Sequence, residues 1–131
     1  DRPTNRRPRS GVIRLLVVDD HQVVRDGMIG LLQRQEGLEV IGQAADGFEA
    51  IEQAEALRPD AVIMDVDMPG MNGIDATREI KRRWEETVVV GLSLHEGDGI
   101  RRAMAEAGAE GYVSKHASAK DLVRAIRHLC E

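Results

Sequence analysis

A chain of 131 residues, 42% hydrophobic and 31% charged, suits one compact domain with a real core and is too apolar for a disordered segment. Eighteen Lys and Arg against 23 Asp and Glu give a net charge of −5. The first ten residues contribute +3 (Arg2, Arg6, Arg7 and Arg9 against Asp1), so the rest carries −8 and is a poor electrostatic partner for nucleic acid. Three aromatic residues (Phe48, Trp84, Tyr112) are too few for a base-stacking surface. No apolar run reaches transmembrane length or resembles a signal peptide, and a lone Cys130 makes neither an internal disulfide nor a zinc site, which points to a reducing, cytoplasmic setting.

Residues 1–10 are polar, hold two prolines and read as a flexible N-terminal segment ahead of one domain over 11–131. Ile13–Val18 is an apolar run of strand length, followed by a helical stripe of Val23, Val24, Met28, Leu31 and Leu32 that Gly37 closes. Leu38–Ala44 is a second strand. Ala50, Ile51, Ala54 and Leu57 line a second helix, stopped at Arg58-Pro59. Ala61–Met64 precedes a third helix with Ile74, Thr77, the stem of Lys81 and Trp84 on one face and Ile80 beside them. Val88–Leu92 precedes a fourth, with Ile100, Ala103, Met104 and Ala107, ended by Gly108. Tyr112–Val113 precedes a fifth, with Leu122, Val123, Ile126 and Leu129, which Ser118 and Asp121 open as a capping box would. The strands mostly lack period-two alternation, as strands buried on both faces do. Strict β-α alternation, five times over, predicts a doubly wound five-stranded parallel sheet, an α/β (βα)5 fold of flavodoxin type.

In such sheets chemistry sits beyond the carboxyl ends of the strands. Strand one ends in Asp19-Asp20, strand three in Asp65, strand four near Ser93 and strand five in Lys115. Taken singly, each aspartate also suits the cap of a helix N-terminus. As a set, three carboxylates on one edge repel one another and call for a hard divalent cation, with Mg2+ the best fit to oxygen ligands. A carboxylate nucleophile beside Mg2+, a lysine and a hydroxyl is equipped for phosphoryl transfer.

These residues carry a resemblance. LLVVDDH at the first strand, VIMDVDMPGMNG after the third, GLSLH at the fourth and GYVSKHAS at the fifth resemble the receiver domain of bacterial two-component response regulators, over roughly Val12 to Cys130. DDHQVVRDGMIGLL resembles the NarL branch, whose members usually carry a helix-turn-helix output domain of the LuxR type. The resemblance implies that Asp65 is the phosphoacceptor, Asp20 a direct Mg2+ ligand, Asp19 a ligand through water, and the backbone carbonyl of Asp67 the third protein ligand. It implies that Ser93 is the switch hydroxyl, Lys115 its ion-pair partner and Tyr112 the switch aromatic, with Met68-Pro69 and Gly73 shaping the loop after Asp65. It further implies a sensor histidine kinase as phosphodonor, a changed surface on the fourth helix, fifth strand and fifth helix, homodimerisation on phosphorylation, and transcriptional output through a DNA-binding domain outside this chain. The domain itself is expected not to be an enzyme, beyond assisting its own phosphorylation and dephosphorylation.

Two residues depart from the pattern. Many relatives have an uncharged residue two positions after the phosphoacceptor, where this chain has Asp67; its carboxylate either repels the hydrolysing water or orients it. Leu94 is bulkier than the small residue of many relatives and is expected to narrow the site. Elsewhere, His21, His116 and His128 are expected at the surface and His95 on a loop. Arg78, Lys81, Arg82 and Arg83 read as a solvated basic face, and Cys130 as an apolar contact. Two rivals stay open. VIMDVDM also fits the haloacid-dehalogenase phosphatases, although there the nucleophile follows the first strand and the paired acids come late. A receiver fold acting only as a phosphorylation-independent interaction module is the other, and the full acidic set with Lys115 argues against it.

Overall fold

The structure, a computed structural model, describes residues 11–68, 70–94 and 97–130. The expected N-terminal segment 1–10, Pro69 and His95 lie outside the described residues. Five strands alternate with five helices: β1 Ile13–Val18, α1 Gln22–Gln33, β2 Leu38–Ala44, α2 Gly47–Leu57, β3 Ala61–Asp65, α3 Gly73–Arg83, β4 Val88–Ser93, α4 Asp98–Ala107, β5 Gly111–Ser114 and α5 Ala119–Leu129. All neighbours pair in parallel, in the order β2-β1-β3-β4-β5. The order reverses between β1 and β3, which makes the gap beyond their carboxyl ends the switch point of the sheet.

The missing alternation has a direct explanation. Leu15, Val17, Ile63, Val88, Val90 and Leu92 face one apolar layer with Leu32, Leu122, Val123 and Ile126 of α1 and α5. Leu16, Val18, Val62, Met64 and Val89 face another, with Ala50, Ala54, Ala76, Ile80 and Met104 of α2, α3 and α4. Both faces of each central strand are buried, so both carry apolar residues.

The stop signals act as their chemistry requires. Gly108 caps α4 in the left-handed region at φ 109°, where a side chain is disfavoured. Arg58 ends α2 at φ 49°, a costly position for a residue with a Cβ. Its Nε donates to Glu55 O at 3.1 Å and its guanidinium lies 5.2 Å from the centre of the Trp84 ring, which hold it there. Ser118 Oγ accepts from Asp121 N at 3.2 Å at the start of α5.

Two expectations are corrected. Val23 is 84% exposed and Val24 is also exposed, so the buried stripe of α1 begins only at Met28. The first turn of α1 stands over a groove, which Val24 lines together with Leu122, Ala119 and Val113, instead of lying on the sheet. The basic run of α3 is not uniformly solvated. Arg78 pairs with Asp75, and Arg82 and Arg83 with Glu79. Lys81 turns inward to donate to Glu85 O, Thr87 O and Glu110 Oε2 at 2.6–2.7 Å.

Candidate functional site at the carboxyl edge of the sheet

The β1 ladder runs one residue past the strand, since Asp19 N donates to Ala44 O at 3.1 Å, and this carries Asp19 into the edge. Asp65 is itself the last residue of β3, and Val66 N donates to Leu92 O at 2.9 Å, so Asp65 and Ser93 emerge side by side. Lys115 N donates to Ser93 O at 2.8 Å, which extends the β4–β5 pairing and swings the lysine over the same edge. At Gly73 an added Cβ would meet the carbonyl oxygen of Asp65, with Val66 Cα at 2.8 Å, so only glycine lets α3 start this close to the end of β3.

The side chains converge. Asp19 and Asp65 are 0% exposed. Lys115 Nζ lies 3.2 Å from Asp19 Oδ2 and 3.0 Å from Asp65 Oδ1. Asp65 Oδ1 also accepts from Asp67 N at 3.0 Å, and Asp19 Oδ1 from His21 N at 2.9 Å. Asp19 thus holds the residue ahead of α1 but does not cap the helix, whose N-cap position is His21 and which has no side-chain cap bond. Ser93 Oγ donates to Asp67 Oδ2 at 3.3 Å. Asp65 Oδ2 is buried and has no hydrogen-bond partner among the described residues. Asp19 Oδ2 and Asp20 Oδ1 are likewise buried without a hydrogen bond among the described residues; the Lys115 ammonium lies 3.2 Å from Asp19 Oδ2 and the His21 Nδ1 atom 3.3 Å from Asp20 Oδ1.

The electrostatics follow from burial. Desolvation pushes the Asp65 carboxyl from 3.8 up to about 6, against the pull of the Lys115 ammonium and the Asp67 N–H, with the charge of Asp19 adding to the rise. Burial pulls the Lys115 ammonium down, but its hydrogen bond to Asp65 and the charges of Asp65 and Asp19 outweigh this and leave its pKa raised. Among the described residues the Lys115 ammonium faces more carboxylates than it can neutralise, Asp19 and Asp65 directly with Asp20 and Asp67 beside them, which leaves the pocket short of positive charge. The open oxygens, all carboxylate, fit a hard divalent cation.

Not every expected residue belongs to this cluster. Tyr112 sits back on β5 with its ring under the Arg101 guanidinium of α4, 4.7 Å from the centre. Leu94, expected to narrow the site, is 55% exposed. Two residues that sequence reasoning did not place here do reach it. His21 Nδ1 groups with the Asp19 and Asp20 carboxylates, and Arg25 Nη1 donates to Asp19 O at 2.6 Å while its Nε holds Gln43. Adjacency to the acidic pair was the only signal for His21; Arg25 had none. His116 and His128 are exposed, as expected, and Cys130 is buried.

The chain is similar to known proteins in sequence and in fold. The family described as the response regulator receiver domain matches residues 15–127. The chain is 44% identical to the response regulator GacA of Pseudomonas viridiflava over 116 residues, which is 88% of this chain and 54% of the relative. It is 37% identical to the response regulator UvrY of Escherichia coli strain K12, over 88% of this chain and 53% of that one. The chain thus spans about half the length of the curated relatives it matches. Among solved structures, a LuxR-family two-component response regulator from Aurantimonas superposes with a TM-score of 0.88 at 37% identity, covering 91% of this chain and 85% of that one. The response regulator domain of Thermotoga maritima CheB does so at 0.84 and 35%, covering 91% and 96%.

Proposed function

Because the chain belongs to the response regulator receiver domain family, we propose that Asp65 accepts a phosphoryl group from a phosphohistidine of a sensor histidine kinase. The observation that carries this reading is the buried, unpartnered Oδ2 of Asp65, set beside the Lys115 ammonium at the switch point of the sheet. An oxygen of Asp65 attacks phosphorus in line, the P–N bond breaks, and the imidazole leaves with the electron pair and takes up a proton. The product is an acyl phosphate on Asp65. Lys115 stays charged and holds one phosphoryl oxygen. Asp19, Asp20 and Asp65, with the carbonyl of Asp67, would hold Mg2+, which supplies the positive charge that the phosphoryl oxygens need.

The new charge then draws the Ser93 hydroxyl toward Asp65, Tyr112 turns inward, and the α4-β5-α5 surface changes as a shift between two populated states. Output is proposed to run through a LuxR-type DNA-binding domain beyond this chain, with dimerisation on phosphorylation, in the cytoplasm. Receiver domains are signalling domains, and the proposal gives this one no activity beyond assisting its own modification. Among the described residues no helix is long and apolar enough to cross a membrane. The test is intact mass after incubation with acetyl phosphate. Gain of one phosphoryl group in Mg2+ and none in EDTA is expected, and an adduct indifferent to EDTA would sink the metal-assisted reading.

A further inference from the structure

The Ser93–Asp67 contact has no place in the scheme above, and its chemistry opposes it. A carboxylate oxygen accepts, so in this contact the Ser93 hydroxyl donates its proton to Asp67 Oδ2, at 3.3 Å. Ser93 is fully buried at the end of β4, and the bond joins it to the β3–α3 connection 26 residues away. The other end of Asp67 is fixed too, because its N–H donates to Asp65 Oδ1 at 3.0 Å. The same short segment therefore grips both the residue to be modified and the hydroxyl meant to answer it.

We infer that the Asp67 carboxylate is a latch that holds Ser93 in the resting state by competing with the phosphoryl group for its one proton. The inference rests on the reading of Asp65 as phosphoacceptor and Ser93 as its switch hydroxyl. A phosphoryl oxygen on Asp65 engages the Ser93 proton only when Asp67 gives it up. The charge it brings also repels the Asp67 carboxylate, so modification opposes the latch in two ways. Asp67 is a positioning residue in this account. It sets how far the resting state is favoured and takes no part in the transfer.

The test is a double-mutant cycle read by beryllofluoride binding in Mg2+, with affinity followed by amide chemical shifts. Asp67→Ala removes the acceptor and keeps the backbone N–H and carbonyl. It should tighten binding by about three- to tenfold, the range expected for a partly exposed hydrogen bond to a charged acceptor. In a Ser93→Ala background the same change should have a clearly smaller effect, because no hydroxyl remains to release. Asp67→Asn, which keeps a weaker acceptor, should fall between. In the unmodified Asp67→Ala protein, the Ser93 and Leu94 amide signals should move along the line toward their beryllofluoride-bound positions. Equal effects of Asp67→Ala in both backgrounds would reduce its role to charge repulsion and overturn the latch alone. No response to beryllofluoride in the unaltered chain would instead overturn the phosphoacceptor reading, and the latch with it.

Discussion

Asp65 is buried enough to prefer its proton and is held beside an ammonium that prefers it ionised. Its carboxyl, raised from 3.8 to about 6, binds a proton in the folded chain at pH values where the unfolded chain has lost it. In metal-free protein its contribution is therefore intact below pH 4 and is lost as pH rises through 6. Asp65→Asn has no such dependence at this position. In EDTA, thermal melts at pH 4.5 and pH 7 should show Asp65→Asn gaining stability relative to the unaltered chain as pH rises, and a constant difference would contradict the assignment. For the acidic pair, Asp19 Oδ2 lies 3.2 Å from the Lys115 ammonium and its Oδ1 accepts the His21 N–H, whereas among the described residues Asp20 Oδ1 has neither a hydrogen bond nor an ammonium beside it. Asp20→Ala should thus weaken Mg2+ binding more than Asp19→Ala in calorimetric titrations. Equal losses would remove the distinction. At this scale the sequence was informative about residue types and strand ends and silent about partners. Nothing in DVD shows that the Asp67 side chain reaches Ser93, because that contact spans 26 residues and depends on the turn between β3 and α3.

The elements were legible for one physical reason and blurred for another. Both faces of β1, β3 and β4 are buried, so their runs of Val, Ile and Leu stand out, and β1 and β2 fall on their expected residues. The ends of β3 and β4 were read one residue short, because Asp65 and Ser93 keep the ladder while their side chains serve the site. Periodicity failed at α1, where Val23 and Val24 repeat correctly but hang beyond the sheet, and at Lys81, whose charge hid a buried role. Glycines carry the sharpest element-scale prediction. A methyl at Gly73 would collide with the Asp65 carbonyl and the Val66 Cα, which are backbone and cannot swing away. At Gly91 it meets the flexible end of Met104 at 2.7 Å and the Tyr112 ring at 3.3 Å. Gly73→Ala should cost about 1–3 kcal/mol and Gly91→Ala less. Urea midpoints measure both, and the reverse order would mean that the start of α3 is looser than the packing implies.

For the whole molecule, the sheet order matters more than any single residue. Reversal between β1 and β3 opens a gap at the carboxyl edge, and the acid pair, Asp65, Ser93 and Lys115 fall around it from four strands far apart in the chain. Lys115 Nζ lies within 3.2 Å of both Asp19 and Asp65 across this gap, and the proposed function gives it the role of linking modification at Asp65 to a change at β4 and α4. Lys115→Ala should leave Mg2+ binding intact or tighter, since a competing cation is gone, yet blunt the amide shifts that beryllofluoride causes around α4. A response like that of the unaltered chain would show that coupling runs elsewhere. The central claim is that one carboxylate takes the phosphoryl group. Phosphorylate the chain with acetyl phosphate in Mg2+, trap the acyl phosphate with borohydride, which converts the modified aspartate to homoserine, and locate it by peptide mass spectrometry. The account predicts homoserine at position 65 alone and none in Asp65→Asn; homoserine at 19, 20 or 67, or its persistence in Asp65→Asn, would contradict it.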